Sequence, residues 1–192
     1  MLVVSAAGVQ SAGKSTLLNT LFGVNMETSV GCCTRGVNIA IVPSEGDWKV
    51  KSDYVMVMDT EGLCNPNLKH FGEWYKRHNN WLASISMLAP NVCCILSNNE
   101  DDTLVRDVIA IPMLCYHDAR HKLTRAGFNK RNVFFVYNRV NPVDAEKHLN
   151  KNRESMIETL KSHMNLAKTL RESGMFGFGE LELMIIPNTH TP

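Results

Sequence analysis

Neither sign of charge prevails in this sequence. Twenty Lys and Arg stand against nineteen Asp and Glu over 192 residues, a formal net charge of +1. That balance gives no electrostatic case for binding nucleic acid or an anionic membrane surface. No apolar run is long enough to span a bilayer, so direct membrane insertion is not expected. The opening MLVVSAAGV is apolar but has no basic residue ahead of it and leads straight to the GKST stretch, so a signal peptide is not expected either. No C-x-x-C occurs among the six cysteines. Cys32-Cys33 and Cys93-Cys94 are adjacent pairs, while Cys64 and Cys115 stand alone. That density is too low for a disulfide-stapled scaffold, and free thiols in a reducing compartment are expected. Internal repeats, low-complexity tracts and linker-like stretches are also lacking. The 44% hydrophobic content is enough to bury a core, which excludes disorder over most of the chain.

Apolar runs alternate with longer helical patterns, as in a parallel α/β sheet. Strands are predicted at Leu2 to Gly8, Val37 to Val42, Tyr54 to Asp59, Val92 to Leu96, Val133 to Tyr137 and Leu181 to Ile186. The turn-forming SEGDWK between the second and third predicts an antiparallel hairpin. A helix is predicted from Lys14 to Phe22, closed by Gly23. Another is predicted from Gly72 to Leu88, with Trp74, His78, Trp81, Ile85 and Leu88 on one face. Asp101 and Asp102 are caps for a helix from near Thr103, which Pro112 kinks or breaks. A long amphipathic helix carries Leu149, Met156, Ile157, Leu160, Ala167 and Leu170 on one face, followed by a loop at Gly174, Gly177 and Gly179. The first strand starts at Met1 and the chain stops just after the last at Pro192, so one domain, excised from a larger polypeptide, is expected.

The densest chemistry lies early. Residues Gly8 to Thr16, GVQSAGKST, fit G-x-x-x-x-G-K-[ST] between a predicted strand and a predicted helix. Backbone N–H groups must wrap a polyphosphate, and Gly8 and Gly13 remove the Cβ atoms that would collide with it. The helix N-terminus adds partial positive charge. Lys14 adds a full charge at the β and γ phosphates, and the Ser15 hydroxyl, followed by Thr16, is the Mg²⁺ ligand. Asp59-Thr60-Glu61-Gly62 follows the third strand in D-x-x-G form. Alone that pattern often marks only a turn. One hairpin after a phosphate loop, Asp59 is suited to the Mg²⁺ shell and the Gly62 N–H to a γ-phosphate. Cys32-Cys33-Thr34-Arg35-Gly36 lies between them. Thr34 there can close over Mg²⁺ and the γ-phosphate, and Arg35 can neutralise transition-state charge; otherwise they are a plain loop Thr and a solvated Arg.

Together these motifs resemble the dynamin-like large GTPases. GVQSAGKS matches their phosphate loop, including Gln10 and Ser11. DTEGL at Asp59 to Leu63 is similar to guanylate-binding proteins and atlastins. The set GVQSAGKSTLLNTLFG, CTRG and DTEGL looks most like the G domain of the very large inducible GTPases. The resemblance implies a Ras-like P-loop fold, a mixed and mostly parallel six-stranded sheet with helices on both faces. It implies Mg²⁺-dependent GTP binding and hydrolysis to GDP in a cytoplasmic or nuclear protein far longer than this chain. It assigns Gln10 and Ser11 to ordering water and neutralising the β–γ bridging oxygen, and Thr34 to water and metal. Leu63 stands where Ras-like enzymes carry a water-orienting Gln. Slow intrinsic hydrolysis, raised by nucleotide-dependent self-association, is the consequence.

Base recognition departs from the pattern. Where [NT]-K-x-D is usual, the chain has Asn138-Arg139-Val140-Asn141. Arg139 can still stack over a purine, whereas Asn141 lacks the charge that selects guanine; Asp144 lies three residues on. The base site is assigned to Asn138 and Arg139, and the last base loop to Asn188-Thr189. Guanine over adenine thus follows from the family resemblance more than from these residues. Two other readings stay open: a nucleotide-holding assembly module with little hydrolysis, and an ATP-using P-loop enzyme.

Other candidates carry less. His117 and His121 stand four apart near Cys115 with no third ligand at useful spacing, so they read as a solvated or packed pair. Trp74 and Trp81 read as core or interface. Most of the ten methionines read as gap-filling core, and Glu146 to Arg153 as a solvated helix face.

Overall fold

The computed structural model describes residues 1–28, 34–44, 52–98, 132–140 and 182–187. These form β1 (Leu2–Gly8), α1 (Lys14–Phe22), β2 (Val37–Pro43), β3 (Tyr54–Thr60), a 3₁₀ turn (Pro66–Phe71), α2 (Glu73–Leu88), β4 (Val92–Asn98), β5 (Asn132–Val140) and β6 (Glu182–Pro187). The helices predicted beyond Thr103, the His117/His121/Cys115 group, the Glu146 to Arg153 run and the loops at Cys32-Cys33, Gly174 to Gly179 and Asn188-Thr189 lie outside the described residues.

The strands make one sheet in the order β2-β3-β1-β4-β5-β6. Every pairing is parallel except β2 with β3, the hairpin that the turn chemistry predicts. Alternation along the strands sorts the side chains onto two faces. Val4, Ala6, Val55 and Val57 share one face with Ala12 and Leu18 of the α1 region. Ser5 points the other way, and its hydroxyl donates to the Ser86 carbonyl of α2 at 2.7 Å. The two described helices therefore cover opposite faces of the sheet. Ala6 and Ala7 keep the central strand thin, so both helices can approach its C-terminal end.

The start of α1 follows from Gly13, which takes φ +86° just before Lys14; the end follows from Gly23, at φ +64°, whose N–H donates to Asn19 O at 2.9 Å. Helix α2 occupies a stretch free of Gly and Pro between Gly72 and Pro90. Its buried face is not the one that carries the tryptophans. Asn79, Leu82, Ala83, Ser86 and Met87 face inward, while Trp74 and Trp81 are 54% and 56% exposed. The helical period holds, and of the two readings of Trp74 and Trp81, core or interface, their exposure excludes the core. Indole rings are too bulky for the gap between α2 and a sheet lined by Ser5 and Cys93, whereas Ala83 and Ser86 fit it.

Cys64, Cys93 and Cys94 form no disulfide. Burial pushes the Cys93 thiol up to about 12 and the Cys94 thiol up to about 11. β4 and β5 both run past their predicted ends, so Asn138, Arg139 and Val140 belong to β5 rather than to the loop after it.

Candidate functional site

The site forms where β1 and β3 end, the edge at which open α/β sheets hold ligands. Between residues 8 and 13 the backbone leaving β1 takes a positive φ three times. Gly8 has φ +138°, and a Cβ there would collide with the Leu96 carbonyl. Ser11 takes φ +61°. A Cβ at Gly13 would come 2.7 Å from Asn138 Nδ2. The glycines of the motif are thus required by neighbouring chain as well as by a polyphosphate. Lys14 is buried, and its ammonium donates to Val9 O at 3.0 Å across the loop it closes.

Three oxygen-bearing side chains converge beside Lys14. Asp59 is fully buried at the end of β3. Its Oδ2 accepts from the Ser15 hydroxyl at 2.7 Å and from the Thr34 hydroxyl at 2.8 Å. Its other oxygen, Oδ1, is buried with no hydrogen-bond partner. Burying such an oxygen unpaired is costly, which makes the point one where a positive ligand is favoured. Carboxylate and hydroxyl oxygens are the donor set of a hard divalent cation, so the residues present fit Mg²⁺. Gln10 carries a second orphan, its buried Oε1.

The D-x-x-G segment lies directly against the phosphate loop. Leu63 N–H donates to Gly8 O at 2.9 Å and Gln10 N–H to Leu63 O at 3.2 Å, an isolated parallel bridge between Val9 and Leu63. A Cβ on Gly62 would lie 2.5 Å from Gln10 Cα, so only glycine passes here. Leu63 itself is buried against Leu82 and Ala83 of α2. It occupies core volume.

Glu61 joins this segment to the Thr34 loop by two bonds. Its N–H donates to Gly36 O at 2.8 Å, and its Oε2 accepts from Gly36 N–H at 2.9 Å. The same Oε2 lies 3.3 Å from His78 Nε2 on α2. The sequence reading gives neither Glu61 nor His78 a role in the site. The carboxylate sits inside a recognised motif, but its partners are 25 and 17 residues away and no local spacing announces them.

Of the residues the motifs single out, Gly8, Gln10, Gly13, Lys14, Ser15, Thr34, Asp59 and Gly62 are brought together. Asn138 joins them differently from its predicted part. Its side-chain amide donates to Ala12 O at 2.9 Å, bracing the phosphate loop from β5. Ser11, Thr16 and Arg35 are exposed, and Arg35 stands outside the cluster. The Arg139 backbone is in β5; its side chain lies outside the described residues. No group of three metal-ligating His, Cys, Asp or Glu residues occurs among the described residues, which leaves the mixed hydroxyl and carboxylate set as the cation-binding candidate there.

Interferon-induced very large GTPase 1 of Mus musculus is 30% identical over 177 residues, 90% of this chain and 7% of that protein. Up-regulator of cell proliferation of Mus musculus is 29% identical over 177 residues, 91% of this chain and 18% of that protein. The chain thus spans less than a fifth of the length of either. Among solved structures, the GTPase-like domain of S. cerevisiae Ski7 bound to GTP is similar at a TM-score of 0.48 and 18% identity, covering 97% of this chain and 42% of that one. The sequence profile of the URGCP-like GTPase domain matches residues 1–181, and the chain belongs to that family.

Proposed function

We propose that this chain binds GTP with Mg²⁺ and hydrolyses it slowly, the nucleotide state ordering the loops around Thr34 and Gly62. The observation that carries this is the convergence of Ser15 and Thr34 on one oxygen of Asp59 while the other is buried and unpartnered. Ser15, Thr34 and Asp59 would hold the cation, which supplies charge neutralisation at the γ-phosphate. Lys14 and the backbone N–H groups of residues 8–15 bind and orient the phosphates. Gln10 and Ser11 take the roles that the resemblance to dynamin-like enzymes gives them, ordering the water and neutralising the bridging oxygen. The water attacks in line, and the chain contributes positioning and electrostatics. Asn138 and Arg139 border the base. Arg35, exposed here, becomes useful only if the loop or a second copy carries it inward. Self-association of a cytoplasmic protein is part of the same reading.

One observation favours a second reading, a module that holds nucleotide with little turnover. Leu63 is buried and apolar, so the usual water-orienting side chain is replaced by core packing. Titration with fluorescent GDP and GTP analogues in Mg²⁺, with ATP as competitor and Lys14→Ala as control, tests both. The expected result is saturable binding, lost in the variant and resistant to excess ATP, with hydrolysis that rises with protein concentration. Equal competition by ATP overturns guanine recognition. Binding without turnover at any concentration selects the second reading.

A further inference from the structure

Helix α2 grips the D-x-x-G segment at three successive places. His78 Nε2 meets Glu61 Oε2, Leu63 packs on Leu82 and Ala83, and Asn79 Oδ1 accepts the Cys64 N–H at 2.9 Å. Of the three, the first continues beyond that segment. The Glu61 carboxylate oxygen that His78 touches is the one that holds the Gly36 N–H, two residues from Thr34. A carboxylate only accepts, so this contact is a hydrogen bond in the tautomer that carries its proton on Nε2. Glu61 is 7% exposed, and a buried carboxylate with one partner removed is expensive to keep in place. On its other side the His78 ring stacks on Trp74, with centroids 4.9 Å apart and planes 9° from parallel. Trp74 meets Phe71 edge to face at 5.6 Å, and both rings are exposed.

We propose that His78 is a positioning residue: it fixes Glu61 so that Glu61 clasps Gly36, which couples closure of the Thr34 loop to α2 and makes that closure visible at Trp74. The inference rests on the nucleotide reading above and adds a residue to it that no motif contains. The path is contiguous: Trp74 ring, His78 imidazole, Glu61 carboxylate, Gly36 N–H, then the Thr34 hydroxyl on Asp59. When the Thr34 loop opens, the Gly36 N–H leaves Glu61 Oε2. The imidazole then shifts with the carboxylate, and the indole beside it senses a changed neighbour.

The test uses the whole 192-residue chain with Trp48→Phe and Trp81→Phe, leaving Trp74 as the sole indole. Its emission is expected to differ between the Mg²⁺·GDP state and the state loaded with a non-hydrolysable GTP analogue. His78→Ala is expected to abolish that difference and to lower kcat about ten-fold, the loss of one charge-assisted hydrogen bond, while GDP affinity stays within about two-fold. His78→Gln, whose amide can donate to the same oxygen, is expected to restore most of kcat. Glu61→Ala is expected to remove the Trp74 difference with His78 intact. The clasp is overturned if the emission difference survives in Glu61→Ala, if His78→Ala turns over like the parent, or if His78→Ala and His78→Gln are equally slow. Failure of the parent to bind GDP is a separate outcome, which sinks the nucleotide reading itself and the clasp along with it.

Discussion

At the scale of single residues, Leu63 shows most clearly how a residue within the site's own segment is committed to the core. It is 6% exposed against Leu82 and Ala83, while its backbone bridges Gly8 and Gln10. Replacing it with the Gln of Ras-like enzymes therefore does not recreate their catalysis. A Gln side chain there would be buried among apolar groups with no partner supplied. Leu63→Gln is expected to lower stability by about 1–3 kcal/mol, measured by urea unfolding, with no gain in single-turnover hydrolysis. A faster variant of unchanged stability would show that residue 63 can reach the water after all. Asp59, Lys14 and the glycines of the loop were legible from their spacing alone, because each belongs to a motif whose parts are neighbours in the chain. Glu61 was in view only as a letter of D-x-x-G. Its hydrogen bonds to Gly36 and His78 are made between segments, so spacing held no trace of them.

At the scale of elements, α2 separates periodicity from burial. The sequence places Trp74, His78, Trp81, Ile85 and Leu88 at helical spacing, and the segment is a helix. The inward face is nonetheless the one that carries Leu82, Ala83 and Ser86. Periodicity reports that residues share a side; it does not report which side the sheet covers when small polar residues can line a close contact. The two faces differ in a measurable way. Leu82→Ala is expected to cost about 2–5 kcal/mol, since it empties a fully buried site. Trp81→Ala is expected to stay within about 0.5 kcal/mol by the same denaturant titration, since the ring is more than half exposed. A reversal of that order would return the aromatic stripe to the core. The β2–β3 hairpin shows the opposite case. Its turn-forming residues are contiguous in the sequence and predict an antiparallel return without reference to anything distant; they lie outside the described residues, and the strand pairing from Val37↔Thr60 to Pro43↔Tyr54 has that sense.

At the scale of the whole molecule, the sheet order brings three distant segments to one edge. Ser15 lies in the first turn of α1, Thr34 precedes β2 and Asp59 is the last but one residue of β3, yet both hydroxyls lie within hydrogen-bond reach of Asp59 Oδ2. A ligand that satisfies the orphan Asp59 Oδ1 couples these segments and should stabilise them together. Mg²⁺·GDP at a hundred times its Kd is expected to add about 2.7 kcal/mol, seen as a rise in Tm by thermal unfolding. Chelating Mg²⁺ should reduce the rise in the parent. In Asp59→Asn the rise should be the same with and without Mg²⁺, because the amide keeps the shape but not the charge. A Mg²⁺-dependent rise that persists in Asp59→Asn would place the cation elsewhere.

By itself, the sequence determined the alternation of strand and helix, the hairpin and the phosphate loop. These depend on local rules: the period of apolar residues, the backbone freedom of Gly8 and Gly13, and a basic residue at the first turn of a helix. Motif resemblance pointed to the same family that the profile over residues 1–181 establishes. Only the tertiary structure decided which face of α2 is buried, that Leu63 is core and that Asn138 braces the phosphate loop from β5. It alone joined Glu61 to Gly36 and His78. Each of these is a contact between elements far apart in the chain, settled by the volume and hydrogen-bonding groups that each surface offers the other, and no window along the sequence contains both partners.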